Sequence, residues 1–431
     1  MTLSRPAAYR RNASPHALDR TRVTASRPTS GDNPSILSRS RTMARGFPMH
    51  VPLRIRTAAA LIPLAIWGGL SGISARAATS AGEAHAELVY VGTQQHEMRA
   101  LRFDAASGKL AMIGPVGAGP RATWVMANPR LPVLYAVDDD NAHEGSVIAY
   151  AVDRDSGALT PINAVATGGR GTTNLSLDQP SMTLLAANYG SGSVASVAVN
   201  EDGSLGARTS LVEETGSGPN RRQASAHAHN AVVDPSGRHA LVPDLGADRV
   251  FVHAFDRATR TLKPGGQFAV PPGAGPRHLV FGPDGKYVYL LTELSAELMV
   301  LRWDASRGQL APVQTVETTS PAFQGVKSGA EVAIGADGRF LYVENRAENA
   351  LLVYRIDGIS GELTQVQRIS SGGEKPWGLG IDRSGKWLLV ANQRSGTVNV
   401  FEVDTVTGRL SDTGQAVGVP DPVAIAFVGN P

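Results

Sequence analysis

The sequence predicts an all-β fold, a seven-bladed β-propeller of four-stranded antiparallel blades, and three observations predict it. A turn motif built on Asp or Asn and Gly returns seven times at intervals of 47 to 56 residues. Between those copies sits a second strand-turn-strand signature, so that each period holds two hairpins, which make one propeller blade. Beyond Ser74 no stretch carries the 3.6-residue apolar period of an amphipathic helix.

The repeat is read first, because a period of this length fixes the architecture. Its copies are FDAASGKL from Phe103, VDRDSGAL from Val152, VNEDGSL from Val199 and FDRATRTL from Phe255. They continue as WDASRGQL from Trp303, IDGISGEL from Ile356 and VDTVTGRL from Val403. Each reads as a strand, a turn opened by Asp or Asn, and a second strand, so these acids are turn formers and not catalysts. The second signature appears as DPSGRHALV, GPDGKYVYLL, GADGRFLYVEN and DRSGKWLLVAN.

Counted this way, the first blade begins at its second strand, around Glu87, and the chain closes with an unpaired apolar run from Val423 to Val428. That last strand is expected to complete the first blade, closing the ring and removing an open sheet edge. The propeller is therefore placed over residues 78–431 as one cooperative unit.

The front of the chain differs in kind. Residues 1–56 hold eleven Arg and two acids, Asp19 and Asp32, so the formal net charge of +3 conceals a propeller that is net acidic. A nucleic-acid partner loses its support once that leader is set aside. The leader lacks apolar periodicity; translation is expected to start at Met43 or Met49, and residues 1–42, if translated, are expected to be disordered. Residues 57–77 run from an uncharged apolar stretch to the small-x-small site Ala75-Arg76-Ala77. This is the pattern of a cleaved secretory signal, which predicts a periplasmic or secreted protein with no stable membrane association. The chain has no cysteine, which excludes disulfides, thiolate metal sites and a Cys nucleophile.

Aligning the blades gives two polar registers. Second strands end in Thr93, Asp138, Asn188, Asp244, Thr292, Asn345 and Asn392, followed by residues that include Asp139, Tyr189, Glu293 and Arg346. First strands begin with Thr123, Thr173, His229, Arg277, Ala330 and Trp377. In an antiparallel hairpin these ends coincide, so both sets are expected to ring one mouth of the central channel. Short Asn, Asp and Thr side chains there read first as caps on strand ends. The larger groups must be paired or wet, because burying them bare is costly. His227 and His229 alternate in AHAHNAV and so face one side of their strand.

At these residues the chain resembles the seven-bladed propeller lactonase family, whose members include 6-phosphogluconolactonases and carboxymuconate cyclases. The resemblance rests on RQASAHAHNAVVDPSG from Arg222, GPRHLVFGPDGKYVYLLTEL from Gly275 and AEVAIGADGRFLYVENR from Ala330. ANYGSGSV from Ala187 and SGKWLLVANQRSGTVNVF from Ser384 extend it. It implies catalytic roles for His229, Arg277, Glu293 and Arg346, with Arg222 as a helper. Substrate contacts are expected from Arg222, His227, Asp139, Asn188, Trp377 and Asn392. Family members usually carry Glu where Asp139 stands, Arg where Trp377 stands, and Cys or His near Thr173.

The chemistry expected is metal-free and cofactor-free hydrolysis of a small lactone by a monomer. A His or Glu activates water, and Arg groups hold the anion or the developing oxyanion. The His spacing supplies no third convergent metal ligand. Two other readings fit the same mouth: a cycloisomerase forming a lactone from an unsaturated acid, and a propeller that binds a ligand or partner without catalysis.

Overall fold

The computed structural model describes residues 86–429, so the leader expected over 1–56 and the signal segment expected over 57–77 lie outside the described residues. Within them, 28 strands form seven four-stranded antiparallel sheets, and no helix occurs. In six blades the strands run in chain order from the channel outward. Blade 2 opens with Val125–Ala127, blade 3 with Thr172–Asp178 and blade 4 with Val232–Val233. The first strands of blades 5, 6 and 7 are Pro276–Phe281, Gly329–Ile334 and Pro376–Ile381.

Blade 1 is built from both ends of the propeller. Its inner strand is Pro422–Val428, which pairs antiparallel with Ala86–Thr93 in the register Leu88↔Val428 to Gly92↔Ala424. The expected closure is present, and every sheet consequently has two neighbours.

Seven buried apolar clusters fill the ring, each made from two adjacent blades. Leu88, Tyr90 and Ala426 of blade 1 meet Leu134 and Tyr150 of blade 2, and Val89 and Leu101 of blade 1 meet Leu389 and Val400 of blade 7. No blade owns a core of its own, so burial stabilises the ring as a whole. Tyrosine hydroxyls latch neighbours together: Tyr90 donates to the Gly157 carbonyl (2.9 Å), Tyr135 to Gly203 (2.9 Å) and Tyr289 to Gly361 (3.1 Å).

Those acceptor glycines belong to the repeated turn. In its six Asp-initiated copies the Asp carboxylate accepts a backbone N–H two or three residues on, at 2.8 to 3.0 Å. The turn then needs a left-handed residue, supplied by Gly at 108, 157, 203, 308, 361 and 408 and by Arg260 at φ 58° in blade 4. A non-glycine residue in that conformation is strained, which explains why the motif keeps its Gly elsewhere.

Removing residues 422–431 should strip blade 1 of its inner strand and expose two sheet edges. Thermal unfolding should lose its single cooperative step or shift down by on the order of 10 °C, since several kcal/mol are at stake. An unchanged melting curve by circular dichroism would contradict ring closure as the source of cooperativity.

Candidate active site

A cavity of about 450 Å³ opens at one channel mouth, and the two sequence registers supply most of its wall. Thr173, Arg277 and Trp377 come from first-strand starts, with Val423 at the same place in blade 1, whereas Thr123 and His229, expected at strand starts, stand two and three residues before Val125 and Val232. Asp139, Tyr189, Glu293 and Arg346 come from just beyond the second strands, and Gln94 joins them from blade 1. The pairings Pro276↔Thr292, Gly329↔Asn345 and Pro376↔Asn392 put the two sets at one level.

Backbone bonds hold the charged members in place. The Glu293 N–H donates to the Gly275 carbonyl (2.7 Å) and the Arg346 N–H to Ser328 (2.9 Å). In blade 4 the inner strand shrinks to Val232–Val233, and the irregular stretch before it carries Arg222, His227 and His229. That stretch is pinned at both ends. Buried Gln223 donates to the Leu245 carbonyl (2.8 Å) and to Asp248 (2.6 Å), while the His229 N–H donates to the Pro243 carbonyl (3.0 Å).

Glu293 is the centre of the site. Its Oε1 accepts from Arg222 Nη1 (2.5 Å) and lies 3.0 Å from Arg346 Nη2, while its Oε2 accepts from Arg277 Nε (2.9 Å). Glu293, Arg277 and Arg346 are all more than nine-tenths buried. Burial alone would raise the Glu293 pKa. The guanidinium groups of Arg346, Arg277 and Arg222 outweigh it and hold the carboxylate far below its usual range. A carboxylate so held is a poor proton acceptor and a good anchor for cations.

His229 is set for the opposite task. Burial, then the positive charge of Arg277, push its pKa well below the ordinary imidazole value, so it is neutral near pH 7. Its Nε2 stands 4.0 Å from Glu293 Oε2, and its Nδ1 is 3.1 Å from His278 Nε2. Three cations face one anion here, so the cavity retains positive character. Lys375 adds to it, lying 4.9 Å from the Trp377 ring centroid, with the Arg346 guanidinium 4.3 Å over the same ring. Lys375 also adopts φ 60°, the conformation that Gly171 and Gly275 hold just before their own inner strands. Across the mouth, burial raises Asp139 to a pKa of about 6 against the opposing Thr123 hydroxyl (2.8 Å) and Arg121.

An ester carbonyl placed in this cavity would meet guanidinium donors for its developing oxyanion and a neutral imidazole for the proton.

Most of the expected contacts converge: His229, Arg277, Glu293, Arg346, Arg222, Asp139 and Trp377 all line the cavity. Three do not. Asn188 is fully buried and bonded to Thr167 and Thr172 (2.8 and 2.7 Å), and Asn392 donates to the Ser371 carbonyl (2.8 Å). Both spend their amides on neighbouring strand ends and connecting segments, Asn188 reaching Thr167 on the adjacent blade, and neither lines the cavity. His227 stands behind the wall, stacked on Tyr189 with ring centroids 4.5 Å apart, and Tyr189 in turn meets Arg222 at 3.2 Å. The sequence registers gave no weight to Lys375, Arg121 or Trp124. Lys375 could have been found from its place immediately before Pro376, beside Trp377.

The family model described as "Lactonase, 7-bladed beta-propeller" matches residues 88–427. The chain is 35% identical over 306 residues to a 6-phosphogluconolactonase of Bacillus subtilis, covering 71% of this chain and 87% of that one. Its fold superimposes on the periplasmic gluconolactonase of Pseudomonas aeruginosa with a TM-score of 0.75 at 33% identity, over 80% of this chain and all of the other. A solved protein from Lactobacillus plantarum gives 0.74 at 28% identity, with coverage of 80% and 100%.

Glu293→Gln should leave Arg277 and Arg346 buried without a counter-charge, at a cost of about 3–5 kcal/mol near pH 7. Because the folded pKa is depressed, this stabilisation is present above the unfolded value of about 4.3 and is lost as pH falls below it. Denaturant titrations should therefore show the gap between wild type and variant narrowing on acidification. Equal stability at pH 7 would refute the anchor role.

Proposed function

This chain belongs to the seven-bladed β-propeller lactonase family, and from that premise we propose that it hydrolyses a non-phosphorylated sugar lactone outside the cytoplasm, with His229 as the general base. The enzyme is a lactonase; the substrate, the compartment and the residue roles are the proposal. The observation that carries it is a neutral, buried imidazole beside three guanidinium groups gathered on one carboxylate.

In the reaction, His229 Nε2 takes a proton from water as the oxygen attacks the lactone carbonyl carbon. The π electrons of that carbonyl move onto its oxygen, and Arg277 and Arg346 stabilise the resulting oxyanion by charge-assisted hydrogen bonds. Collapse of the tetrahedral species breaks the ring C–O bond, and the imidazolium returns its proton to the leaving alkoxide. Water has been added across the ester, giving the open hydroxy acid. Glu293 does not act as the base in this scheme, since its lone pairs are already committed to Arg222, Arg277 and Arg346. Its task is to fix where those cations stand.

Two observations favour an uncharged sugar lactone. The apolar segment and small-x-small site over 57–77 fit export, and a solved relative is a periplasmic gluconolactonase.

With D-glucono-1,5-lactone and a pH indicator, wild type should release acid well above the buffer rate. His229→Gln should lower kcat by about 10²- to 10⁴-fold. Since the base must be unprotonated and its pKa lies below the ordinary value of about 6.5, kcat/KM should be flat above that pH and fall only at lower pH. A wild type no faster than buffer across a panel of aldonolactones would defeat the reading.

A further inference from the structure

Beneath His229 a chain of hydrogen bonds crosses three blades. His278 lies on the inner strand Pro276–Phe281 of blade 5 and Glu331 on Gly329–Ile334 of blade 6, each one residue beyond a channel-facing position. His278 Nδ1 is 2.7 Å from Glu331 Oε1, and His278 Nε2 is 3.1 Å from His229 Nδ1. All three residues are buried. His278 forms part of the floor of the cavity that holds Arg277 and Glu293, and Trp124 closes on it edge-to-face at 5.5 Å.

With Glu331 ionised and both rings neutral, the proton count along this chain has one solution. Glu331 Oε1 also accepts the Val332 backbone N–H (3.0 Å), and an ionised carboxylate only accepts. The proton between Glu331 and His278 therefore sits on His278 Nδ1. A neutral imidazole carries a single N–H, so His278 Nε2 accepts, and the next proton sits on His229 Nδ1. His229 Nε2, the nitrogen nearest Glu293, is then the one with a free lone pair.

We propose that His278 and Glu331 are positioning residues: through these two hydrogen bonds they fix the His229 tautomer whose Nε2 is a proton acceptor, and they receive the charge when it takes a proton. The proposal rests on the reading of His229 as the base. On protonation at Nε2, the Nδ1 proton of His229 passes to His278 Nε2. The positive charge then lies against the Glu331 carboxylate, 2.7 Å from His278 Nδ1, and the return path restores the starting state with no net proton gained. Burial and Arg277 disfavour a cation on either ring, and for His278 the Glu331 carboxylate is the largest opposing influence. The other charged groups facing this chain are Glu293, and Glu344, whose carboxyl burial and Glu331 hold well above the usual range, so that it keeps its proton.

The test is long-range ¹H–¹⁵N correlation of the histidine side chains in the full protein, together with kinetics on D-glucono-1,5-lactone. Wild type should show His229 protonated at Nδ1 and bare at Nε2. In Glu331→Gln this preference should weaken or reverse, kcat should fall by about 10²-fold, and KM should change by less than about threefold. Loss of the carboxylate makes an imidazolium less stable, so the acid limb of kcat/KM should also move to lower pH. Glu331→Asp should restore part of kcat and return the limb towards its wild-type position, which a merely structural contact would not do. A wild-type His229 protonated at Nε2 would overturn the proposal whatever the activity. So would Glu331→Gln with wild-type kcat and an unmoved limb. If the tautomer is as assigned but wild type opens no lactone, the hydrogen-bond assignment stands and the lactone reading falls.

Discussion

Two buried guanidinium groups, with a third exposed at their edge, cannot share this mouth without a counter-charge, and the single carboxylate of Glu293 meets that requirement. Its two oxygens take Arg222 and Arg346 on one side and Arg277 on the other. Each partner arrives from a different segment: the irregular stretch of blade 4, the inner strand of blade 5, and the turn after the second strand of blade 6. The ion cluster is therefore a geometric consequence of ring closure as much as an electrostatic device. Remove the ring and the four groups have no reason to meet.

The same constraint separates the roles of the ionisable groups. The carboxylate that gathers the cations is made too weak a base to act, and the imidazole next to Arg277 is kept neutral and able to accept a proton. Both pKa values are pushed down, but the carboxylate keeps its charge while the imidazole stays neutral, and that difference separates an anchor from a proton acceptor. Here the pair also explains why the cavity is both positively charged and able to take up protons. The surrounding wall adds a flat surface at Trp377 and a carboxyl at Asp139 whose pKa of about 6 lets it change charge near neutrality.

Much of this was legible in the sequence, because a repeat protein writes its geometry into its period. Seven turn motifs gave seven blades, and the terminal Val423 to Val428 run announced the closing strand. Registering the blades on their inner turns placed His229, Arg277, Glu293 and Arg346 at one level without any knowledge of contacts. The same registers misled at Asn188 and Asn392. A short amide at a strand end looks alike whether it faces a cavity or a neighbouring strand, and only packing tells them apart. The pairing of His278 with Glu331 spans 53 residues between adjacent blades, and no local pattern encodes it. The alternation of His227 and His229 suggests a strand, but both lie in the irregular stretch before Val232, where His227 stacks on Tyr189 and does not line the cavity.

The most direct measurement is a crystal structure of the protein with a sugar acid, the product of lactone opening, bound to it. The account predicts the acid in the cavity at the channel mouth, its carboxylate within hydrogen-bonding reach of Arg277 and Arg346 and its carboxyl carbon facing His229 Nε2. An acid found at the opposite mouth or on the outer strands, or one bound in the cavity with its carboxylate turned away from both guanidinium groups, would contradict it.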